Sequence, residues 1–208
     1  MTKCALILIS AMALAQTNPP AQTPMSDQAV VRIARAVQKE ILTLPNYGVF
    51  DDIRFAIGGD YKVELRGYAS RPTLKSSAEQ VAKKIEGVKE VVNSIEVLPL
   101  SRADDDIRAR AYVAIYYHPV LVRYNPNRGV PDYASPARLA GGITNDPPVG
   151  YHPIHIIVKN GHLTLSGVVA NEGDRNIANI QANGVQGAFQ VTNDLAVAES
   201  AKPKKAKK

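Results

Sequence analysis

Apolar residues in the first third of the chain recur with two spacings, that of a helix and then that of strands. After Ser26 or Asp27, either of which can cap a helix, they return every three or four positions until Pro45, which predicts an amphipathic helix. Its apolar positions are Val30, Ile33, Ala34, Val37, Ile41 and Leu44. Strict alternation on both sides of the turn "GGD" then predicts a β-hairpin with one apolar face. Its apolar positions are Ile53, Phe55, Ile57, Tyr61, Val63 and Leu65.

A second helix and a third strand complete this unit. Pro72 suits the first turn of a helix, and Gly87 is placed to end that helix in the left-handed conformation. The apolar stripe of the helix consists of Leu74, Ala78, Val81, Ala82 and Ile85. Val91, Ile95 and Val97 predict the strand that follows.

The same order of elements returns about 100 residues later. The segments "GVKEVVNSIEV" (87–97) and "GAFQVTNDLAV" (187–197) share a glycine, a Val-x-Asn and a closing valine at an offset of 100. Upstream of the second segment, Asp104–Asp106 precede a helical pattern, and a hairpin turns at "KNG" before a helix from about Asn171 to Val185. The hairpin strands are marked by Ile154, Ile156, Val158, Leu163 and Leu165.

The two hairpins differ by one residue. Five residues separate Ile57 from Val63, whereas four separate Val158 from Leu163. The first turn is therefore predicted to be one residue longer, which keeps both apolar faces inward. The patterns predict an α+β fold of two tandem α-β-β-α-β units, each a three-stranded sheet with two helices on one face. Each unit has about 70 residues before insertions, so we expect the two to pack together.

These repeated residues resemble the BON domain (bacterial OsmY and nodulation). The resemblance covers roughly residues 27–99 and 104–198, and Ala188 departs from it where valine is usual. The residues that fit in the first unit are Gly67, Gly87, Val91, Asn93 and Val97. Those that fit in the second unit are Gly161, Leu165, Gly167, Gly187, Val191, Asn193 and Val197. The resemblance implies a periplasmic or envelope-associated, non-enzymatic protein that binds phospholipid or an envelope protein.

The first fifteen residues have the order of a secretory signal peptide. Lys3 supplies a positive charge, an uncharged apolar run extends from Cys4 to Ala15, and the run closes with an A-x-A cleavage site. The run is too short to span a bilayer, and a short buried helix is the alternative interpretation. The expected mature chain begins at Gln16 without cysteine, so it has no disulfide and no thiolate metal site. Residues 16–25, "QTNPPAQTPM", are predicted to be a Pro-rich linker.

The net charge of +6 is concentrated at the ends of the chain. Lys3 and the five lysines of "KPKKAKK" account for six of the 25 basic residues, so Gln16 to Ala201 carries 19 basic and 19 acidic residues. A neutral body argues against a nucleic-acid-binding protein. Residues 199–208 are predicted to be a disordered basic tail. Lys204, Lys205, Lys207 and Lys208 in it are candidate contacts to an anionic surface, and a merely solubilising tail is the alternative.

A long proline-rich insertion, at about residues 119–152, distinguishes the second unit. A loop of this length in a compact domain is usually functional or disordered. It is rich in tyrosine and arginine, the residue types that dominate contact hot spots and suit lipid headgroups. The candidate binding residues are Arg123, Tyr124, Arg128, Tyr133, Arg138 and Tyr151. A solvated or self-packed loop of ordinary composition is the alternative.

The remaining motifs do not predict catalysis or a metal site. His152 and His155 are three residues apart at the start of a strand, so they point to opposite faces, while His162 lies across the turn and His118 ends a helix. The sequence lacks G-x-S-x-G, a P-loop and H-E-x-x-H. No catalytic residue, metal or cofactor is predicted.

The sequence thus favours an exported, non-enzymatic envelope protein, periplasmic, that binds anionic phospholipid or an envelope partner. The expected role is envelope maintenance or stress protection, including osmotic stress. A periplasmic protein-interaction or chaperone-like adaptor that never touches lipid is the alternative. No stretch after the signal peptide is apolar enough to span a membrane.

Overall fold

The computed structural model describes residues 26–127, 138, 141–144, 146–148 and 150–198. The predicted signal peptide, linker and basic tail lie outside these described residues, as does most of 128–149. The first unit consists of α1 (Asp27–Leu42), β1 (Asp52–Ile57), β2 (Lys62–Ala69), α2 (Pro72–Lys83) and β3 (Glu90–Val97). The second consists of α3 (Arg102–Tyr116), β4 (Ile154–Lys159), β5 (His162–Val169), α4 (Glu172–Asn183) and β6 (Gln190–Val197).

Each unit has one three-stranded mixed sheet. The order is β1-β2-β3 in the first and β4-β5-β6 in the second, and in both the hairpin is antiparallel and the last pair is parallel. The predicted α+β fold with two tandem α-β-β-α-β units is therefore confirmed. Ile57 pairs with Val63 and Val158 with Leu163, so the first turn is one residue longer, as the apolar alternation predicts.

The helix boundaries differ from the prediction at two places. Ser101 caps α3 by accepting a 3.2 Å hydrogen bond from the Asp104 amide, so the three aspartates lie inside the helix and do not precede it. Helix α2 ends at Lys83, and Gly87 has a φ of 93° in the turn that leads to β3. Gly87 therefore does not end the helix directly. Its positive φ serves the turn.

A glycine in the second strand of each hairpin allows a backbone carbonyl at the start of the first strand to approach closely. Gly67 and Gly167 have φ angles of 106° and 114°. A Cβ atom would lie 2.0 Å from the Asp52 carbonyl oxygen at Gly67 and 2.1 Å from the Pro153 carbonyl oxygen at Gly167. Since both values are far inside van der Waals contact, only glycine fits these positions.

The two units share a core through the segment between α1 and β1. Val49 and Phe50 are fully buried in the apolar cluster of the second unit, although they belong to the first unit in sequence. The Ile156 amide of β4 donates a 2.7 Å hydrogen bond to the Val49 carbonyl oxygen. The buried Asp51 carboxylate fixes this segment by accepting from the Gly48 and Ser70 amides, at 2.9 and 2.6 Å.

The described parts of the insertion also pack on the body of the protein. Leu121 and Ile143 are buried in the core of the second unit. The Arg71 guanidinium of the first unit donates a 2.9 Å hydrogen bond to the Thr144 carbonyl oxygen. These parts of the insertion therefore help to join the units. Among the residues described, no helix has the length and apolar character needed to cross a membrane.

Candidate functional site: the cleft between the units

A cleft of about 440 Å³ opens between the two units beside the first strand. From the first unit, α1, Tyr47 and β1 line it, and from the second unit β4, β5 and β6 do so. A neighbouring pocket of about 250 Å³ shares Leu42, Tyr47, Tyr151 and His155 with the cleft. Because both units contribute walls, the packing of the two units creates this site.

Three charged side chains from the two units line the cleft. The Arg54 guanidinium contacts the Asp52 carboxylate at 2.6 and 2.9 Å, and Asp194 of β6, which is exposed, also lines the cleft. The hydrogen bond with Asp52, together with the fields of Asp52 and Asp194, raises the pKa of Arg54. These three groups carry one net negative charge, which favours a cationic group on a ligand.

His155 lines the cleft, and one of its ring nitrogens is buried. The residue is nine-tenths buried, and its Nδ1 has no hydrogen-bond partner within the described part of the chain. Ser166, its cross-strand neighbour on β5, also has a buried hydroxyl, and none of the residues described by the structure is its hydrogen-bond partner. Burial lowers the pKa of His155, so the ring is neutral at pH 7. Its centroid lies 5.7 Å from that of the Tyr47 ring.

His152 has a structural environment. Its ring lies 4.9 Å from that of Tyr116 and 5.7 Å from that of Tyr112, centroid to centroid, and its Nδ1 is 2.9 Å from the Gly150 carbonyl oxygen. Burial lowers the pKa of His152 to about 4. Within the described ranges, no group of three or more His, Cys, Asp or Glu side chains is arranged to hold a metal ion.

Two of the predicted binding residues contact another part of the same chain. The Arg123 guanidinium and the Tyr124 hydroxyl both donate to the Asp174 carboxylate near the start of α4, the latter at 2.5 Å. The Tyr124 hydroxyl also accepts a 2.7 Å hydrogen bond from the Ala170 amide. Since Asp174 is itself buried, Arg123 and Tyr124 fix the insertion to α4.

The other predicted binding residues have different surroundings. The Arg138 side chain is mostly buried, and its Nε donates a 2.5 Å hydrogen bond to the Asp146 carbonyl oxygen. Tyr151 lines the cleft and is 63% exposed, so it is the predicted residue best placed to meet a ligand there. The remaining predicted residues, Arg128, Tyr133, Lys204, Lys205, Lys207 and Lys208, lie outside the described residues.

Sequence patterns alone do not single out the cleft residues Asp52, Arg54, His155 and Asp194. The repeat offers one signal, because Ile53 and Ile154 pair with the equivalent glycines, Gly67 and Gly167. Arg54 and His155 are therefore equivalent positions on the helix-free faces of their sheets. Polar residues at this position can be recognised as part of a cleft only when the second unit is placed beside the first.

A sequence model described as "BON domain" matches residues 30–99 and 137–199, which together are more than half of the chain. The chain belongs to the BON-domain family. BON domains are linked to phospholipid binding, occur in periplasmic and envelope proteins, and are generally non-enzymatic binding domains. The second match begins within the insertion, so α3 lies outside it.

Curated proteins and solved structures do not change the assignment to the BON family. No curated protein matches the chain. Two solved structures of CdsD, a structural protein of the type III secretion system of Chlamydia trachomatis, are similar to it. The first is 15% identical, with 80% of this chain and 93% of that chain covered and a TM-score of 0.26. The second, a C-terminal domain, is 14% identical, with 83% and 98% covered and a TM-score of 0.25. At these TM-scores the likeness carries no argument.

Proposed function

We propose that this BON-domain protein is an exported, non-enzymatic envelope protein of the periplasm that binds anionic phospholipid. Membership of the BON family, with its link to phospholipid binding, is the observation that carries the proposal. In this role the protein maintains the envelope or protects it under stress, osmotic stress included. The signal-peptide pattern of residues 1–15 supports export.

Two regions suit an anionic membrane surface in different ways. Tyr151 exposes its ring at the rim of the cleft, and tyrosine rings settle at the headgroup level of a bilayer. The lysines of 202–208 attract anionic lipid by charge, which salt screens strongly. Tyr124 is less suited to this role, because its hydroxyl is already engaged by Asp174 and Ala170.

Co-sedimentation with vesicles tests the proposal. The mature protein is expected to bind phosphatidylglycerol vesicles and to leave phosphatidylcholine vesicles unbound. Deleting 202–208 should weaken binding at low salt only, whereas Tyr151→Ser should weaken it at high salt also. Phe189→Ser, at another ring that is 86% exposed, is the matched control. If wild-type protein ignores anionic vesicles at low salt, lipid binding is rejected.

Export has a separate test. We expect N-terminal sequencing of protein from the periplasmic fraction to find Gln16 as its first residue. Met1 retained on the envelope-fractionated protein would contradict both the signal peptide and the proposed location.

A protein partner is the second candidate, and a specific observation favours it. The cleft borders the outer edge of β1, where backbone groups are available to another chain. In this alternative the protein acts as a periplasmic adaptor or chaperone-like module without lipid binding.

A further inference from the structure

The outer edge of β4, the first strand of the second unit, is covered by other parts of the chain. The Tyr116 hydroxyl donates to the Ile154 carbonyl oxygen and accepts from the Ile154 amide. Further along the strand, an Arg108 Nη atom donates a 2.6 Å hydrogen bond to the Val158 carbonyl oxygen. With the Ile156 amide bonded to Val49, the outward backbone groups of β4 are largely satisfied, as edge strands require to avoid unwanted pairing.

The first unit has no equivalent of the Arg108 and Tyr116 side chains that cover β4. Ile33 of α1 and Ile107 of α3 are equivalent, because each lies against the equivalent glycine of its unit, Gly87 or Gly187. Counting along the helices, Ala34 stands where the second unit has Arg108. In the same way, Leu42 stands where it has Tyr116. Neither alanine nor leucine can donate to a strand edge.

The pairing of β1 with β2 determines which backbone groups of β1 point away from the sheet. Gly58 donates a 2.8 Å hydrogen bond to the Lys62 carbonyl oxygen, and bonded pairs alternate along an antiparallel ladder. Ile53, Phe55 and Ile57 therefore direct their amide and carbonyl groups away from β2. The Tyr47 hydroxyl forms a hydrogen bond with the backbone of Ile53. Among the described residues, no hydrogen bond engages the outward groups of Phe55 or Ile57, and both residues are partly exposed.

The cleft reaches this open edge at Phe55 and gives it two different walls there. Ile41 and Leu42 of α1 form an apolar wall on one side, and Arg54 with Asp194 forms a charged wall on the other. Side chains of an extended chain alternate between two faces, so a strand added to β1 would meet both walls in turn. The net negative charge of Asp52, Arg54 and Asp194 suits basic residues on the second face.

We propose that β1 binds an extended segment of a partner protein by strand addition, with apolar residues facing α1 and basic residues facing Asp194. Lipid cannot supply the repeated backbone donors and acceptors that such an edge pairs with. Strand addition is therefore a different mode of binding from the membrane contact proposed for Tyr151, and its test does not depend on vesicle binding.

A synthetic peptide tests the site. The probe is an eight-residue peptide that alternates valine and lysine, blocked at both ends and labelled for fluorescence anisotropy. We expect saturable binding together with slower hydrogen exchange at the Phe55 and Ile57 amides. A control peptide of the same sequence, N-methylated at alternate residues on its pairing edge, should not bind, because methylation removes the donors of that edge.

Two matched variants separate edge pairing from charge. Ala34→Arg introduces a guanidinium beside β1 at the position equivalent to Arg108. We expect this variant to weaken peptide binding about fivefold or more. Ala36→Arg adds the same charge on the same helix, at the position equivalent to Arg110, whose guanidinium reaches the Gln186 carbonyl oxygen at 2.9 Å. It should leave the affinity near that of wild type, because it lies away from β1. Asp194→Asn should weaken binding of the lysine peptide.

Several outcomes would overturn the proposal. One is the absence of binding at millimolar peptide, and another is equal binding of the N-methylated peptide. Equal losses of peptide affinity in Ala34→Arg and Ala36→Arg would show that charge repulsion alone causes the effect. If sedimentation of the peptide-free protein finds a dimer that Ala34→Arg dissociates, the edge pairs with a second copy and not with a partner.

Discussion

Asn93 and Asn193 make the same two hydrogen bonds in the two units, 100 positions apart. In each case the side-chain amide donates at 3.0 Å to a helix carbonyl oxygen, that of Lys75 or Arg175. In each case the side-chain oxygen accepts at 3.2 Å from the amide two residues on. The asparagine thus fastens the third strand to the second helix, which gives the repeated Val-x-Asn its physical reason.

Replacing either asparagine should destabilise the protein. Asn93→Ala and Asn193→Ala each remove a donor and an acceptor that partly buried backbone groups rely on, so we expect each to lower the free energy of unfolding by about 1–2 kcal/mol. Urea unfolding measures the change. Asn183→Ala, at an exposed position bonded to the Asn179 carbonyl oxygen, is the control and should stay within about 0.5 kcal/mol. Equal effects at the three positions would argue against a fastening role.

Valine at Gly67 or Gly167 should destabilise the hairpins to a similar degree. The added Cβ would collide with the carbonyl oxygen of Asp52 or Pro153, and the positive φ disfavours a β-branched residue. We expect each variant to lose more than about 1 kcal/mol in thermal or urea unfolding. Gly59→Ala has open space around its Cβ and should be nearly neutral. A Gly67→Val or Gly167→Val protein that melts like wild type would show that the two positions are not equivalent.

Phe50 should support the second unit more than the first. Phe50→Ala leaves a cavity in the core formed with α3 and β4, for which the expected loss is about 3–5 kcal/mol. Hydrogen exchange should accelerate at the Leu163 and Leu165 amides of β5. Phe189→Ala makes the same change at an exposed ring and should be nearly neutral. Faster exchange confined to the first unit would contradict the shared core.

Acid should destabilise the protein through His152. Its folded pKa of about 4 lies below the ordinary value, so below about pH 6.5 the unfolded chain binds the proton more readily and the stability falls as the pH falls. Between about pH 7 and about pH 5 this histidine should remove on the order of 2 kcal/mol. Asp51, whose pKa burial raises, acts in the opposite direction, so the measurement is a comparison of variants.

The comparison uses urea unfolding of wild type, His152→Gln and His162→Gln at both pH values. His152→Gln should show a smaller loss of stability on acidification, since the residue that is kept neutral by burial is gone. His162→Gln, at an exposed position, should follow wild type. An unchanged pH dependence in His152→Gln would place the acid sensitivity elsewhere.

The sequence by itself determines the two units. Apolar spacing and turn residues act locally, so they predict the helices, the hairpins and the longer first turn, and the repeated glycines and asparagines indicate the BON family. Boundaries near Asp104 and Gly87 are less well predicted, because helix ends depend on which hydrogen bonds compete there.

Only the tertiary structure decides how the two units are joined and where a ligand can bind. The apolar pattern of Val49 and Phe50 gives no sign that they fill the core of the other unit, since burial depends on contacts distant in sequence. Arginine and tyrosine in the insertion suit a binding surface by composition. The fold, however, directs Arg123 and Tyr124 to Asp174 and leaves Tyr151 beside the cleft. The sequence specifies the chemistry of each side chain, but the packing of the units determines which groups that side chain contacts.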